Sequence, residues 1–213
     1  MKKPGKPLLL AAALATHLAP AVADPMKGAP VRTHPSQGDV EQVDGASARL
    51  FTGEDGVFVS MDTNGLEPGH VYTLLLAVIN KPGQCPALPC TPKDVLGRSG
   101  IVKSDVGYAG GAVADDEGTA KFSHFQPVGS LQKGFFENGL SGTDGVEIHL
   151  VLNDHGPRIE GRVYEMLTSY RGGCSDESLP PPMPDTARAQ GKPGPNSCAM
   201  VQFAQFIPDQ PAS

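Results

Sequence analysis

Between His70 and Asn80 apolar side chains occupy both parities of the chain. Val71, Thr73, Leu75, Ala77 and Ile79 fall on one face of an extended segment, and Tyr72, Leu74, Leu76 and Val78 on the other. A strand that is apolar on both faces must be covered on both, so any fold built around it needs a layer above and a layer below. A short buried helix is the alternative reading. The β-branched and aromatic content favours the strand, as do the turn residues on either side, Asn64-Gly65 and Pro68-Gly69 before it and Pro82 after it.

The rest of the chain carries the same period of two. Val57, Val59 and Met61 alternate with Phe58, Ser60 and Asp62. From Val146 to Asn153, Val146, Ile148, Leu150 and Leu152 line one face and Glu147, His149, Val151 and Asn153 the other, with Asp154-His155-Gly156-Pro157 expected to end the strand. Val106–Ala114 and Thr119–Phe125 flank Asp115-Asp116-Glu117-Gly118 and read as a hairpin, in which Ala120, Phe122 and His124 share a face. Gly161–Tyr170 reads as a further strand and Ala199–Ile207 as the last. Lys81–Gly100 reads as a proline-rich loop with room for a short helical turn at Lys93–Leu96. About eight strands separated by turn signals predict an all-β fold, an antiparallel β-sandwich of Ig-like or Greek-key type. Gly 26 and Pro 21 supply the turns, and 39% hydrophobic residues suffice for a packed core. The expected organisation is a leader over 1–23, a polar lead-in over 24–44, and one sandwich domain over 45–213 with a Pro-rich loop at 175–197.

The leader reads as an export signal. Lys2, Lys3 and Lys6 precede an apolar stretch from Leu8 to Leu18, and Ala21-Val22-Ala23 has the form of a cleavage site. The stretch is too short to span a bilayer, which takes about 20 apolar residues. Cleavage would leave 190 of the 213 residues and remove three basic residues and no acid, taking the net charge from −6 to −9. Such a chain repels phosphate backbones, which argues against nucleic acid as a partner. All four cysteines, Cys85, Cys90, Cys174 and Cys198, lie beyond the leader, and an even count in an exported chain points to disulfides. Three pairings are open; Cys85–Cys90 with Cys174–Cys198 is favoured because each closes a local loop. Zinc is the competing use, against which stand the loose Cys85-x4-Cys90 spacing and export.

The chemistry-bearing stretch is Glu147 to Pro157. Glu147 and His149 project from the same strand face about 7 Å apart at the backbone, close enough to share a metal ion. His155 joins them only if the chain bends at Asn153-Asp154, and a further ligand comes from His124 or His70 across the sheet. Imidazole donors suit copper or zinc. The competing reading is structural: His149 bonded within a polar face, Asp154 and His155 fixing a turn. No catalytic template emerges. Ser123 and His124 point to opposite faces of a strand, and Gly139-Leu140-Ser141-Gly142-Thr143 misses the nucleophile elbow at its last position.

Gly69-His70-Val71-Tyr72-Thr73, Asn80-Lys81-Pro82 with Cys85, and Val146–Pro157 together resemble a group of exported, uncharacterised bacterial β-sandwich proteins, over roughly Leu66 to Cys174. More distantly, Glu117-Gly118, Gly139-Leu140, Glu147-Ile148-His149 and Gly156-Pro157 resemble the chordin-type (CHRD) domain, whose strand carries His-x-His; here the first histidine is Glu147. Copper/zinc superoxide dismutases also place His-x-His on a sandwich strand, but the rest of their histidine set is missing from this sequence. The resemblance implies a sandwich fold and brings little functional knowledge. The expected function is that of a binding or envelope-associated module, periplasmic or secreted. A copper- or zinc-dependent oxidoreductase-like protein with metal ligands His149, His155, Glu147 and His124 is the alternative. A small-molecule carrier using the space between the sheets is a third.

Overall fold

The computed structural model describes Met1, residues 26–179 and residues 183–209. The segment read as an export leader lies outside the described residues but for Met1. Among the described residues nine strands form: β1 (Lys27–Ala29), β2 (Arg32–Thr33), β3 (Ser47–Gly53), β4 (Gly56–Thr63), β5 (His70–Ile79), β6 (Ser104–Val113), β7 (Ala120–Pro127), β8 (Glu147–Pro157) and β9 (Ala199–Phe206). They pair antiparallel into a four-stranded sheet, β1-β3-β4-β7, and a five-stranded sheet, β2-β9-β8-β5-β6. This is the all-β sandwich anticipated from the sequence, with one strand more than the count suggested.

The inter-sheet core follows from the period of two. Val57, Val59 and Met61 of β4 face Leu74, Leu76 and Val78 of β5 and Ile148, Leu150 and Leu152 of β8, all fully buried. Each such side chain contributes about 1.5–3 kcal/mol through its removal from water. The chain passes between the sheets on both sides of the sandwich. Val31, fully buried, lies between β1 in one sheet and β2 in the other. The segment read as a polar lead-in thus supplies two short edge strands.

Three local expectations are corrected. The strands around Asp115–Gly118 are not a hairpin: β6 pairs with β5 and β7 with β4, so the connection crosses from sheet to sheet. Gly161–Tyr170 is not a strand but contains a helix, α3 below. Val163, Met166, Leu167 and Tyr170 recur with helical spacing, and Met166 and Tyr170 are buried. β8 does not end at Asn153 but runs on to Pro157. It does so through an irregularity after Leu152 and through Gly156, whose φ of 76° favours glycine. The amide of Asn196 bridges the carbonyls of His155 and Pro157 there (2.7 and 2.8 Å).

A second apolar cluster covers the outer face of the five-stranded sheet. Leu75, Ala77 and Ile79 of β5 and Val106 of β6 form its floor. The cover is made of loops and four short helices, α1 (Pro92–Gly97), α2 (Ser99–Val102), α3 (Val163–Thr168) and α4 (Asp185–Arg188). α3 approaches β6 so closely that a Cβ at Gly111 would strike the Leu167 carbonyl. Both disulfides lie in this cover: Cys85–Cys90 and Cys174–Cys198, with Cα–Cα distances of 5.6 and 5.4 Å, the local pairing.

Their sequence separations of 5 and 24 set their value. By loop-closure entropy the longer contributes about 3 kcal/mol and the shorter about 2 kcal/mol. Urea denaturation of the double variant Cys174→Ala/Cys198→Ala is expected to show the larger loss, and that of Cys85→Ala/Cys90→Ala the smaller. The reverse order would show that the short loop leading into α1 carries more of the cover than its length implies.

Candidate functional site

The outward-facing residues of β8 are Glu147, His149, Val151, Asn153 and His155, and all but Val151 are buried. The cover makes them so. The Cys85–Cys90 disulfide leads directly into α1, whose start is fixed by several features. Thr91 and Asp94 exchange side chain–backbone hydrogen bonds in a capping box, Pro92 occupies the first turn, and Arg98 pairs with Asp94 at 2.7 Å. The Thr91 hydrogen bonds, helped by Arg98, hold the Asp94 carboxyl below the usual carboxylate range.

α1 does not settle fully onto the sheet. Between it and the strands lies a cavity of about 340 Å³, within the range of small-molecule sites. Leu75, Ala77, Val106, Val151 and Met200 form its floor, and Val95, Leu96 and Met183 its roof. The ionisable residues that reach it are His34, Lys93 and His149. His34 packs edge-on against Phe203, and burial lowers its pKa from the ordinary value.

His149 and Glu147 form a closed pair. His149 Nε2 lies 2.5 Å from Glu147 Oε1, and the same oxygen accepts the Cys90 N–H at 2.8 Å. Glu147 is completely buried, and its Oε2 has no hydrogen-bond partner among the described residues. His149 Nδ1 likewise has none, yet it is not one of the sealed unpartnered atoms. With Nε2 taken, by Glu147 and by the Gln205 amide at 3.4 Å, Nδ1 is the nitrogen that keeps accessible surface, and its residue lines the cavity.

The other candidate ligands do not join them. His155 is fully buried, and both its nitrogens are engaged. Nδ1 donates to the Gly172 carbonyl at 2.8 Å, which fixes the tautomer, and Nε2 accepts from the Thr73 hydroxyl at 2.8 Å. Potential ligand atoms of His155, Cys174 and Cys198 do cluster within 4.8 Å, but the two sulfurs are bonded to each other. His124 is on β7 in the other sheet, with a long contact to Gln126 at 3.5 Å. His70 pairs with Asp154 at 3.0 Å, at the end of β8 remote from Glu147. Of the four sequence candidates, the structure brings together Glu147 and His149 alone. No protein-family model matches the chain. No curated protein matches its sequence.

Sequence reasoning missed the cavity and the Cys90 N–H. Ala77, a small residue amid large ones in β5, is the one local sign that something else fills space above the sheet.

Burial of His155 lowers its pKa from the ordinary 6.5, so the folded chain resists a proton that the unfolded chain accepts. The stability due to its neutral form is complete above 6.5 and is lost as pH falls below that value. His34 and His124 are shifted the same way by burial. Urea denaturation at about pH 7.5 and about pH 5.5 is expected to show the native chain weakening on acidification, and His155→Gln weakening less steeply. At the higher pH, His155→Phe leaves the Gly172 carbonyl and Thr73 hydroxyl unpaired and is expected to cost about 2–4 kcal/mol.

Proposed function

We propose that this chain is a binding module of the periplasm or the extracellular space that takes a small, mainly apolar molecule into the cavity between α1 and the five-stranded sheet. The observation that carries this is the cavity itself: about 340 Å³ of largely apolar wall that includes His149, the imidazole paired with buried Glu147. Pockets of this kind bind by burying apolar surface and orient their ligand with a few polar atoms. Export is supported by the leader's form and by two disulfides, which persist outside the reducing cytosol. Among the described residues no helix is long and apolar enough to cross a membrane. The third possibility raised by the sequence, a carrier using the space between the sheets, finds no support, because that space is filled by side chains; the cavity proposed here lies on the outer face of a sheet.

A second reading has one observation behind it. Glu147 Oε2 is buried without a partner, on the residue that already pairs with His149. The two could share copper or zinc, with the remaining positions left to water or ligand. Glu147 stands where the chordin-type pattern has its first histidine, so such a site would have one imidazole donor fewer. A metal-binding protein would show a raised melting temperature on adding copper or zinc, abolished by His149→Ala.

The cavity reading is tested with N-phenyl-1-naphthylamine, a neutral fluorophore that brightens in apolar surroundings. The native protein is expected to bind it saturably. Ala77→Phe, which projects a ring into the space from β5, is expected to abolish binding while leaving the melting temperature unchanged or higher. Binding undiminished in that variant would place the probe elsewhere and refute the reading.

A further inference from the structure

We infer that the molecule seated in this cavity carries a hydrogen-bond acceptor head, a carboxylate or carbonyl oxygen, which docks on the Nδ1–H of His149. The inference rests on the cavity being the binding site and specifies what binds there.

Glu147 and His149 touch through Oε1 and Nε2 at 2.5 Å, a distance at which one proton lies between them. With Glu147 Oε2 left unprotonated three arrangements are possible; a proton on Oε2 would make a buried hydroxyl with no acceptor, a costlier fault than an unpaired lone pair. In the first, Glu147 is ionised and His149 is an imidazolium, so both ring nitrogens carry hydrogen. In the second, Glu147 is the neutral acid and donates to Nε2, which leaves the ring's own hydrogen on Nδ1. In the third, Glu147 is ionised and neutral His149 donates from Nε2, leaving Nδ1 bare. The first two are electrically neutral overall. The third leaves a net negative charge on a carboxylate with no solvent exposure, compensated only by hydrogen bonds from His149 and the Cys90 N–H. Burying an uncompensated charge is the costliest of these outcomes. Both neutral arrangements present Nδ1–H to the cavity. The wall is mainly apolar, and Nδ1 has no partner among the described residues. A donor in that position selects an acceptor from the ligand.

Two sources of acceptor share this chemistry: an ionised acid and a neutral ketone or ester. Lys93 lines the same cavity and adds a positive charge at its α1 side, which favours the carboxylate. A ligand with a cationic, donor-only head meets His149 donor to donor and Lys93 like charge to like charge.

Three ligands with the same eight-carbon chain test this by competition against N-phenyl-1-naphthylamine: octanoate, 2-octanone and octylamine. Octanoate is expected to compete best, 2-octanone next, and octylamine at least about tenfold more weakly than octanoate. His149→Leu is expected to bring the octanoate-to-octylamine competition ratio close to one, read relative to that variant's own affinity for the fluorophore, and His149→Gln, which keeps a side-chain N–H, to retain part of the preference. Octanoate and octylamine competing equally, or a preference unchanged in His149→Leu, would overturn the acceptor head and leave the cavity standing. A fluorophore that fails to bind the native protein would overturn the cavity reading and this inference with it. A preference for 2-octanone over octanoate would keep the Nδ1 donor and identify the head as carbonyl.

Discussion

The structure depends on the burial of β5 and β8 on both faces. Leu74, Leu76, Ile148 and Leu150 face the other sheet, while Leu75, Ala77 and Ile79 face away from it and are nearly as well buried. A sandwich covers the first set by its nature. The second set needs a cover of its own, and the chain provides no third sheet for it. It lays down loops and helices of four to six residues, which have almost no stability by themselves. This is why both disulfides are in the cover and none joins the sheets. Cys90, Cys174 and Cys198 are themselves buried members of the second cluster. Oxidised sulfur holds down what hydrogen-bonded helix length cannot.

Polar groups trapped beneath such a cover must be satisfied or they weaken it. Two histidines on the same face of β8 show the two outcomes. His155 has Thr73 on one side and the Gly172 carbonyl on the other, with the Cys174 sulfur 3.5 Å away, and nothing is left over. It ties the outer loop to the strand. His149 is engaged at Nε2 only, by a carboxylate that is itself short of one partner and, at 3.4 Å, by the Gln205 amide. Six residues of strand separate a fastening from a site, and the difference is set by what the cover brings down onto each.

Much of this was legible in the sequence because it is local. Parity along β5 and β8 gives the two-sided burial and places Glu147 and His149 on one face. The even cysteine count and short loops give the pairing. What was not legible is non-local or ambiguous in period. α3 is marked by Val163, Met166, Leu167 and Tyr170 at helical spacing, but a six-residue helix in a chain of strands leaves only one and a half turns of pattern. The turn at Asp115–Gly118 has hairpin composition, yet β7 finds its partner in β4, and no residue in the turn specifies that choice. His155 could be assigned only once Gly172 and Thr73 were known to meet it. The cavity was beyond reach altogether, since it is space left between segments as distant as His34, Ala77, Leu96 and Met183.

That space persists because the roof is held at a few points, at its start and where the Ser104 hydroxyl of β6 donates to the Val95 carbonyl of α1 at 2.6 Å. The capping box at Thr91 and Asp94, the proline at the start of α1 and the Asp94–Arg98 pair fix the helix internally. The Cys85–Cys90 bridge fixes where it begins. The hydrogen bond from the Cys90 N–H to Glu147 Oε1 then ties that beginning to the sheet, and the same oxygen meets His149. Glu147 therefore joins the roof to the floor through a single atom. An apolar residue in its place would remove the tie at the start of α1 and leave the Ser104–Val95 hydrogen bond to hold the helix to the sheet. A buried carboxylate is an expensive way to secure a loop, and hydrophobic packing would do it with less. What the carboxylate adds is a fixed height for the roof and a fixed orientation for His149, and both are requirements of a site, not of a fold.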